Sequence, residues 1–304
     1  MSTLRIGSRG SALALWQAEY VRAWLAARGS TVEIIRIRTS GDQFQQGGVA
    51  GIGLKGVFIK ELEDALLSGT VDLAVHSLKD MPTEIPPGLE IAAIPQREDP
   101  RDCLISRGLR KLADLPLGAR IGTSSFRRAA QLRHRRSDLE VCELRGNVDT
   151  RLRKVEEGAY DAVVVAHAGV KRLGYDARVT EVLEPEVMLP AVGQGALAIE
   201  IRSANPELVE LLAGLDHPET RTAISAERAV LSALEGGCQV PLGAWARIER
   251  GTLLLDACVC APDGTEVLRE RGQGPAMQPE ALGRDVAGRL RAAGAERLLR
   301  LAGR

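Results

Sequence analysis

Leu4-Arg5-Ile6-Gly7, followed by Ser11 and an apolar series at Leu13, Leu15, Trp16, Tyr20, Val21, Trp24 and Leu25, is the stretch that decides the fold class. The first four residues read as a short strand. The series recurs at helical spacing from a Ser cap to Arg28-Gly29, where glycine ends it. Val32 to Ile37 alternates as a strand, Phe58 to Leu67 is helical and stops at Gly69, and Val71 to Val75 is a short apolar run suited to a buried strand. Strands alternating with helices predict a mostly parallel α/β sheet. The same grammar restarts at Ala119-Arg120-Ile121-Gly122, with a helix from Phe126 to Arg136, a strand from Leu139 to Leu144, a helix from Val148 to Glu157 and an apolar strand from Ala162 to Val165. Pro95, Pro100 and Pro116 mark one crossing between the two units, and Pro185 with Pro190 marks another before Gly193-Gln194-Gly195. Two crossings predict two lobes with a cleft. A long helix from Pro218 to Leu234, strands Gly243 to Ile248, Thr252 to Cys260 and Glu266 to Glu270, and a helix from Pro279 onward predict a third, smaller α+β domain.

A chain of 304 residues is long enough for more than one core without disulfide or metal staples. Its composition, 45% hydrophobic and 26% charged, excludes a disordered chain. Forty basic residues balance forty acidic ones, so no field of the whole molecule attracts nucleic acid or anionic lipid, and any anion site is local. Nine aromatic residues are too few for a base-stacking platform. The five cysteines are odd in number and lack CxxC spacing, which points to neither a disulfide framework nor a zinc site and fits a reducing compartment. Neither a signal peptide nor an eighteen-residue apolar span is legible, so the expected location is the cytoplasm, with no membrane partner.

Local motifs carry the chemistry. Gly122-Thr123-Ser124-Ser125-Phe126-Arg127-Arg128 places hydroxyls, a helix start and two guanidinium forks together, either as an anion site or as a good cap with a solvated basic face. Residues 120 to 154 hold ten basic residues against four acidic, an excess of six that favours a polyanionic ligand. His76-Ser77-Leu78-Lys79-Asp80-Met81-Pro82 follows an apolar strand, so Lys79 and Asp80 fall at the carboxyl end where α/β sheets bind ligands; the plainer reading is a Lys-Asp turn pair. Cys238 stands alone in the glycine-flanked Gly236-Gly237-Cys238-Gln239-Val240-Pro241, whereas Cys103, Cys142, Cys258 and Cys260 lie in apolar strand contexts expected of inert thiols. No spacing selects a catalytic partner among His76, His134, His167 and His217. The glycine-rich residues 41 to 56 contain neither a P-loop nor GxGxxG after a strand, and read as a lid or a surface loop.

Taken together, Arg9-Gly10-Ser11, Leu13 to Gln17, Lys60-Glu61-Leu62-Glu63, His76 to Pro82, Arg97 to Asp102, Gly122 to Arg128, Arg145 to Leu152, Leu189 to Ala196 and Glu235 to Pro241 resemble the porphobilinogen deaminases, or hydroxymethylbilane synthases. The resemblance spans almost the whole chain. It implies two domains like type II periplasmic binding proteins, with a cleft between them, plus a small C-terminal α+β domain: residues 1–97 with 195–216, residues 98–194, and residues 217–304. It also implies a cytoplasmic, monomeric transferase of porphyrin and heme biosynthesis, with porphobilinogen as its partner and neither nucleic acid nor metal. Such an enzyme links four porphobilinogens head to tail with loss of ammonia onto a dipyrromethane cofactor, then hydrolyses off hydroxymethylbilane. By this resemblance Cys238 carries the cofactor through a thioether, and Lys79, Ser125, Arg127, Arg128, Arg145 and Gly146 bind it. Asp80 is catalytic, stabilising the cation left when ammonia departs. Arg9, Ser11, Gln17, Lys55, Phe58, Ser77, Thr123, Asn147, Arg151, Arg172 and Gln194 are expected to meet substrate. Each pyrrole carries an acetate and a propionate, which accounts for the local wealth of arginine. Where the family reads Gly-Gly-Lys-Gly-Leu-Phe, this chain has Gly53-Leu54-Lys55-Gly56-Val57-Phe58. A solute-binding protein shares two lobes and an anion cleft but needs no Cys238, and a nucleic-acid binder accounts for the basic patch but not for Asp80.

Overall fold

The computed structural model describes residues 3–39, 59–234 and 240–302. Two compact units are present, Met1–Arg97 with Ala196–Arg221, and Glu98–Gly195 with Thr222–Arg304. The chain opens with β1 (Leu4–Ser8), α1 (Ala12–Ala26), β2 (Val32–Arg36), α2 (Lys60–Leu67), β3 (Leu73–Ser77) and β4 (Leu89–Ala93). It continues through β5 (Asp102–Ser106), β6 (Arg120–Gly122), α3 (Phe126–Arg135), β7 (Glu140–Cys142), α4 (Val148–Glu156), β8 (Ala162–Ala166), α5 (His167–Arg172) and β9 (Glu181–Leu183). β10 (Leu197–Arg202) and α6 (Pro206–Ala213) return to the first unit, and α7 (Pro218–Ala233) leads to β11 (Leu242–Glu249), β12 (Thr252–Cys260), β13 (Val267–Pro275), α8 (Pro279–Ala292) and α9 (Ala295–Ala302).

The helices start where the sequence supplies acceptors for their unpaired N–H groups. Ser11 Oγ accepts from Ala14 N at 3.3 Å, Ser125 Oγ from Arg128 N at 3.4 Å, and Asn147 Oδ1 from Thr150 N at 3.1 Å. Pro206 and Pro279 stand in the first turns of α6 and α8, where their missing N–H costs nothing.

The first sheet has the order β2-β1-β3-β10-β4 and the second β7-β6-β8-β5-β9. Each is one pattern: parallel pairs join the first three strands, and the fourth strand runs antiparallel to both of its neighbours. The sheets are therefore mixed, not mostly parallel as the element order predicts. Right-handed helical crossovers enforce parallel pairing only for strands they connect, and β10 and β5 reach their sheets by the interunit crossings instead. β11, β12 and β13 form an antiparallel meander.

Ile6, Leu25, Leu73, Ile199 and Leu212 pack on one face of the first sheet, and Leu62, Leu66, Val71 and Ala74 form a second cluster around α2. The second sheet is likewise covered twice, by clusters around Leu104, Ile121 and Leu132 and around Cys103, Val163 and Val165. Between α7, the meander, α8 and α9 lies a separate core of Val230, Leu253, Leu255, Val286 and Leu298. Within the second unit, Ala130 and Leu189 meet Cys258 and Cys260, joining α3 to β12. Among the described residues no helix is long and apolar enough to cross a membrane, and no group of three or more His, Cys, Asp or Glu is arranged to hold a metal ion.

Candidate active site

In the first unit, β3 ends at Ser77 and one 3-10 turn, Leu78–Asp80, follows at its carboxyl end. Leu78 N donates to Ala196 O and Met81 N to Leu78 O, both at 3.0 Å, so the buried Leu78 anchors a turn that presents a half-buried Lys79 and an exposed Asp80. α1 contributes Gln17, whose buried Nε2 donates to Ser77 Oγ at 2.8 Å. These groups border an open pocket lined by Arg9, Ser11, Gln17, His76, Ser77 and Asp80, with Leu13, Ala14, Ile59, Leu62 and Val75 as its apolar wall. Behind it, His76 Nε2 lies 2.9 Å from Oε2 of Glu200, which is fully buried. The neighbouring Glu63 carboxyl is pushed up from its ordinary value, by burial first and then by the charge of Glu200.

In the second unit, β6 gives way to Thr123-Ser124-Ser125. Ser124 Oγ donates to Leu144 O at 2.5 Å, the buried Thr123 Oγ1 accepts from Ser125 N at 3.2 Å, and Ser125 caps α3. The first turn of α3 then sends Arg127 and Arg128 inward, with only 4% and 6% of their surface exposed. Arg127 Nη1 donates to Asp102 Oδ2 at 2.7 Å, and Arg128 donates to Asp102 Oδ1 from Nε at 3.0 Å and Nη2 at 2.7 Å. Burial alone would raise the Asp102 carboxyl, yet the charges and hydrogen bonds of the two arginines hold it far below the usual carboxylate range. Gln194 Nε2 reaches the same carboxylate at 2.9 Å and Pro100 O at 2.7 Å.

Gly146 has φ +113°, a conformation natural to glycine, and α4 begins directly after it. Arg151 Nε donates to Gly146 O at 2.9 Å, and burial followed by the charge of Arg128 pushes its guanidinium down to about 10. Arg172 Nη2 donates to Gly195 O at 2.7 Å. Arg145 stands apart from this group, exposed and paired with Glu143 at 2.5 Å, and the Asn147 side chain serves as the cap of α4.

The expected residues thus fall into two clusters, Arg9, Ser11, Gln17, Ser77, Lys79 and Asp80 in one unit, and Thr123, Ser125, Arg127, Arg128, Gly146, Arg151 and Gln194 in the other. Lys55, Phe58, Cys238 and the glycine-rich residues 41–56 lie outside the described residues. Sequence reasoning missed Asp102 and Glu200 and treated His76 as structural. The signal was present in one form: each acid sits in an otherwise apolar strand, Asp102 before Cys103-Leu104-Ile105 and Glu200 between Ile199 and Ile201. Burial raises the Cys103 thiol to about 12, and Cys258 and Cys260 are fully buried, in keeping with inert thiols.

Residues 4–210 match the family model described as porphobilinogen deaminase, dipyromethane cofactor binding domain, and residues 221–292 match that of the porphobilinogen deaminase C-terminal domain. A porphobilinogen deaminase of Desulforudis audaxviator is 53% identical over 296 residues, covering 97% of this chain and 96% of the relative. One from Syntrophobacter fumaroxidans is 51% identical over 298 residues, with the same two coverages. Among solved structures, a periplasmic substrate-binding protein of an ABC transporter from Coxiella burnetii aligns with TM-score 0.45 and 15% identity over 74% of this chain and 96% of that one.

Proposed function

The chain belongs to the porphobilinogen deaminase family, and we propose that the pocket of its first unit and the arginine cluster of its second divide the reaction between them. Its activity is that of a transferase of tetrapyrrole biosynthesis, the head-to-tail condensation of four porphobilinogens with loss of ammonia, using a dipyrromethane cofactor and ending in hydroxymethylbilane.

The residues present fit that cofactor. Each of its rings carries two carboxylates, and the second unit sets three guanidinium groups, Arg127, Arg128 and Arg151, against one carboxylate, Asp102. Arg127 Nε is also buried with no hydrogen-bond partner among the described residues, a donor left available for an acceptor. Arg127, Arg128, Ser125, Gly146, Arg145 and Lys79 hold the cofactor, and Cys238 bonds it through sulfur. When bound, the cofactor supplies the electron-rich α-carbon that attacks the substrate.

Asp80 works on the other partner. Departure of ammonia leaves a cation on the porphobilinogen, and a carboxylate at the mouth of a partly apolar pocket stabilises that charge more than bulk water does. Arg9, Ser11, Gln17 and Ser77 orient the incoming ring, assisted by Lys55, Phe58, Thr123, Asn147, Arg151, Arg172 and Gln194. The observation that carries this reading is the convergence of Arg9, Ser11, Gln17, Ser77 and Asp80 on one pocket at the carboxyl end of β3.

We further divide the chain into three domains, 1–97 with 195–216, 98–194 and 217–304, a reading supported by the separate core under the C-terminal meander. A monomer working in the cytoplasm accords with the balanced charge and the free thiols of Cys103, Cys142, Cys258 and Cys260.

Intact mass of the purified protein tests the function. It should exceed the bare chain by two linked pyrroles, and Cys238→Ser should lose both that mass and ammonia release from porphobilinogen, because an alcohol is a far weaker nucleophile than a thiolate. Retention of the extra mass by Cys238→Ser, with its loss in Cys103→Ser, would overturn the attachment site.

A further inference from the structure

Asp102 opens β5 and is fully buried, a costly place for a charge. Its two oxygens accept four hydrogen bonds, one from Arg127, two from Arg128 and one from Gln194. Arg127 Nη1 is pinned a second time, to Leu189 O at 2.7 Å. A guanidinium has five N–H donors in a rigid plane, so holding some of them fixes the direction of the rest. Asp102 holds Arg127 by Nη1 alone, and its buried Nε has no partner among the described residues. One carboxylate also cannot neutralise two guanidinium groups, so the pair keeps a net positive charge. Apolar side chains of similar volume would fill this space without the desolvation cost, so stability alone does not account for the cluster.

We propose that Asp102 is the positioning residue of the anion site, fixing Arg127 and Arg128 as a pre-oriented pair whose remaining donors and net positive charge receive a pyrrole carboxylate. The proposal rests on the reading that these arginines hold the cofactor. Asp102 itself touches no ligand. It acts by removing the rotational freedom that two long side chains would otherwise lose at the moment of binding.

The test follows incorporation of the two-ring adduct by intact mass when apo-protein is incubated with porphobilinogen, with thermal melts run in parallel. Asp102→Asn should slow incorporation about tenfold to a hundredfold, the scale expected when oriented groups are displaced by an ångström or so. Arg128→Gln should slow it at least as much, and the double variant by less than the product of the two single losses, because part of the Asp102 effect runs through that fork. Leu104→Ala, a core truncation in the same strand, should lower the melting temperature while loading at the wild-type rate. Should Asp102→Asn not fold, Asp102→Glu keeps the charge, moves it by one methylene, and is expected to slow loading in the same way. The proposal is overturned by loading within about twofold of wild type in the Asp102 variant, by losses that add in the double variant, or by equal slowing in Leu104→Ala at a matched loss of melting temperature. Wild-type loading by both Arg127→Gln and Arg128→Gln would instead remove the underlying reading, whatever Asp102→Asn does.

Discussion

His76 Nε2 sits 2.9 Å from Glu200 Oε2, with the two side chains 3% and 0% exposed. They belong to adjacent antiparallel strands, β3 and β10, and occupy diagonal rather than opposed positions, since Ala198 faces His76 and Ala74 faces Glu200. The pair therefore fastens the returning segment to the strand that leads into the Asp80 turn. Deleting one member of a buried polar pair leaves the other without compensation, at a cost of about 3 kcal/mol or more. Glu200→Ala should lose that much in urea denaturation, whereas Glu200→Gln, which keeps an acceptor oxygen, should lose about 1 kcal/mol. Equal losses would show that the acceptor is not what matters.

Acid should loosen the second unit through Asp99. Burial pushes its carboxyl up, but hydrogen bonds from the Arg101 side chain and backbone, the charge of Arg101 and a bond with His167 outweigh this and hold it at about 2. The folded value lies below the unfolded one of about 3.9, so this stabilisation is complete above about pH 4 and is lost as pH falls toward about 2. Asp102 contributes with the same sign. Asp99→Asn should lower stability at neutral pH and flatten its decline between about pH 4 and 2, measured as denaturation midpoints across that range. An unchanged slope would exclude Asp99 as a source of the acid sensitivity.

Gly195 has φ +88°, and a Cβ there would stand 2.4 Å from Glu98 O, a backbone atom that cannot swing aside. Gly195→Ala combines left-handed strain with that collision and should cost about 2 kcal/mol or more in thermal or chemical melts. Gly174→Ala has the strain alone, at φ +74° with nothing within 4 Å, and should cost about 1 kcal/mol. Indistinguishable losses would show that the close approach to Glu98 is relieved by small shifts.

Asp80→Asn preserves shape and removes charge, so the loss should fall on turnover, by on the order of 10² to 10³, with KM nearly unchanged. Single-turnover addition of porphobilinogen within about threefold of wild type would dismiss a catalytic Asp80.

Much of the architecture was legible from the residues. Ser11, Ser125 and Asn147 cap helices whose starts their spacing predicts, and the duplicated strand-helix grammar corresponds to two sheets of one strand order. Boundaries shifted where periodicity is weakest: the strand expected at Leu139 to Leu144 is Glu140–Cys142, and that expected at Glu266 to Glu270 runs Val267–Pro275. β4, β5, β9 and β10 were not legible. They are three to six residues long, lie beside the prolines that mark the crossings, and two of them contain a buried acid that interrupts the apolar run. Their partners are tens of residues away in sequence, and no local pattern encodes a pairing of that range. For the same reason the motifs single out Arg127, Arg128 and Asp80 as candidates, while the counter-charge that holds the two arginines, Asp102, emerges only in three dimensions.

The place of β10 between β3 and β4 also sets a timetable for synthesis on the ribosome. Every strand of the second sheet has been made once residue 183 emerges, but the first sheet lacks an inner strand until residue 202. At translation rates of roughly 5–20 residues per second, the interval from β4 to β10 lasts roughly 5–20 s, with the facing edges of β3 and β4 unpaired throughout. The sheet whose strands begin to be made first is therefore the one completed second.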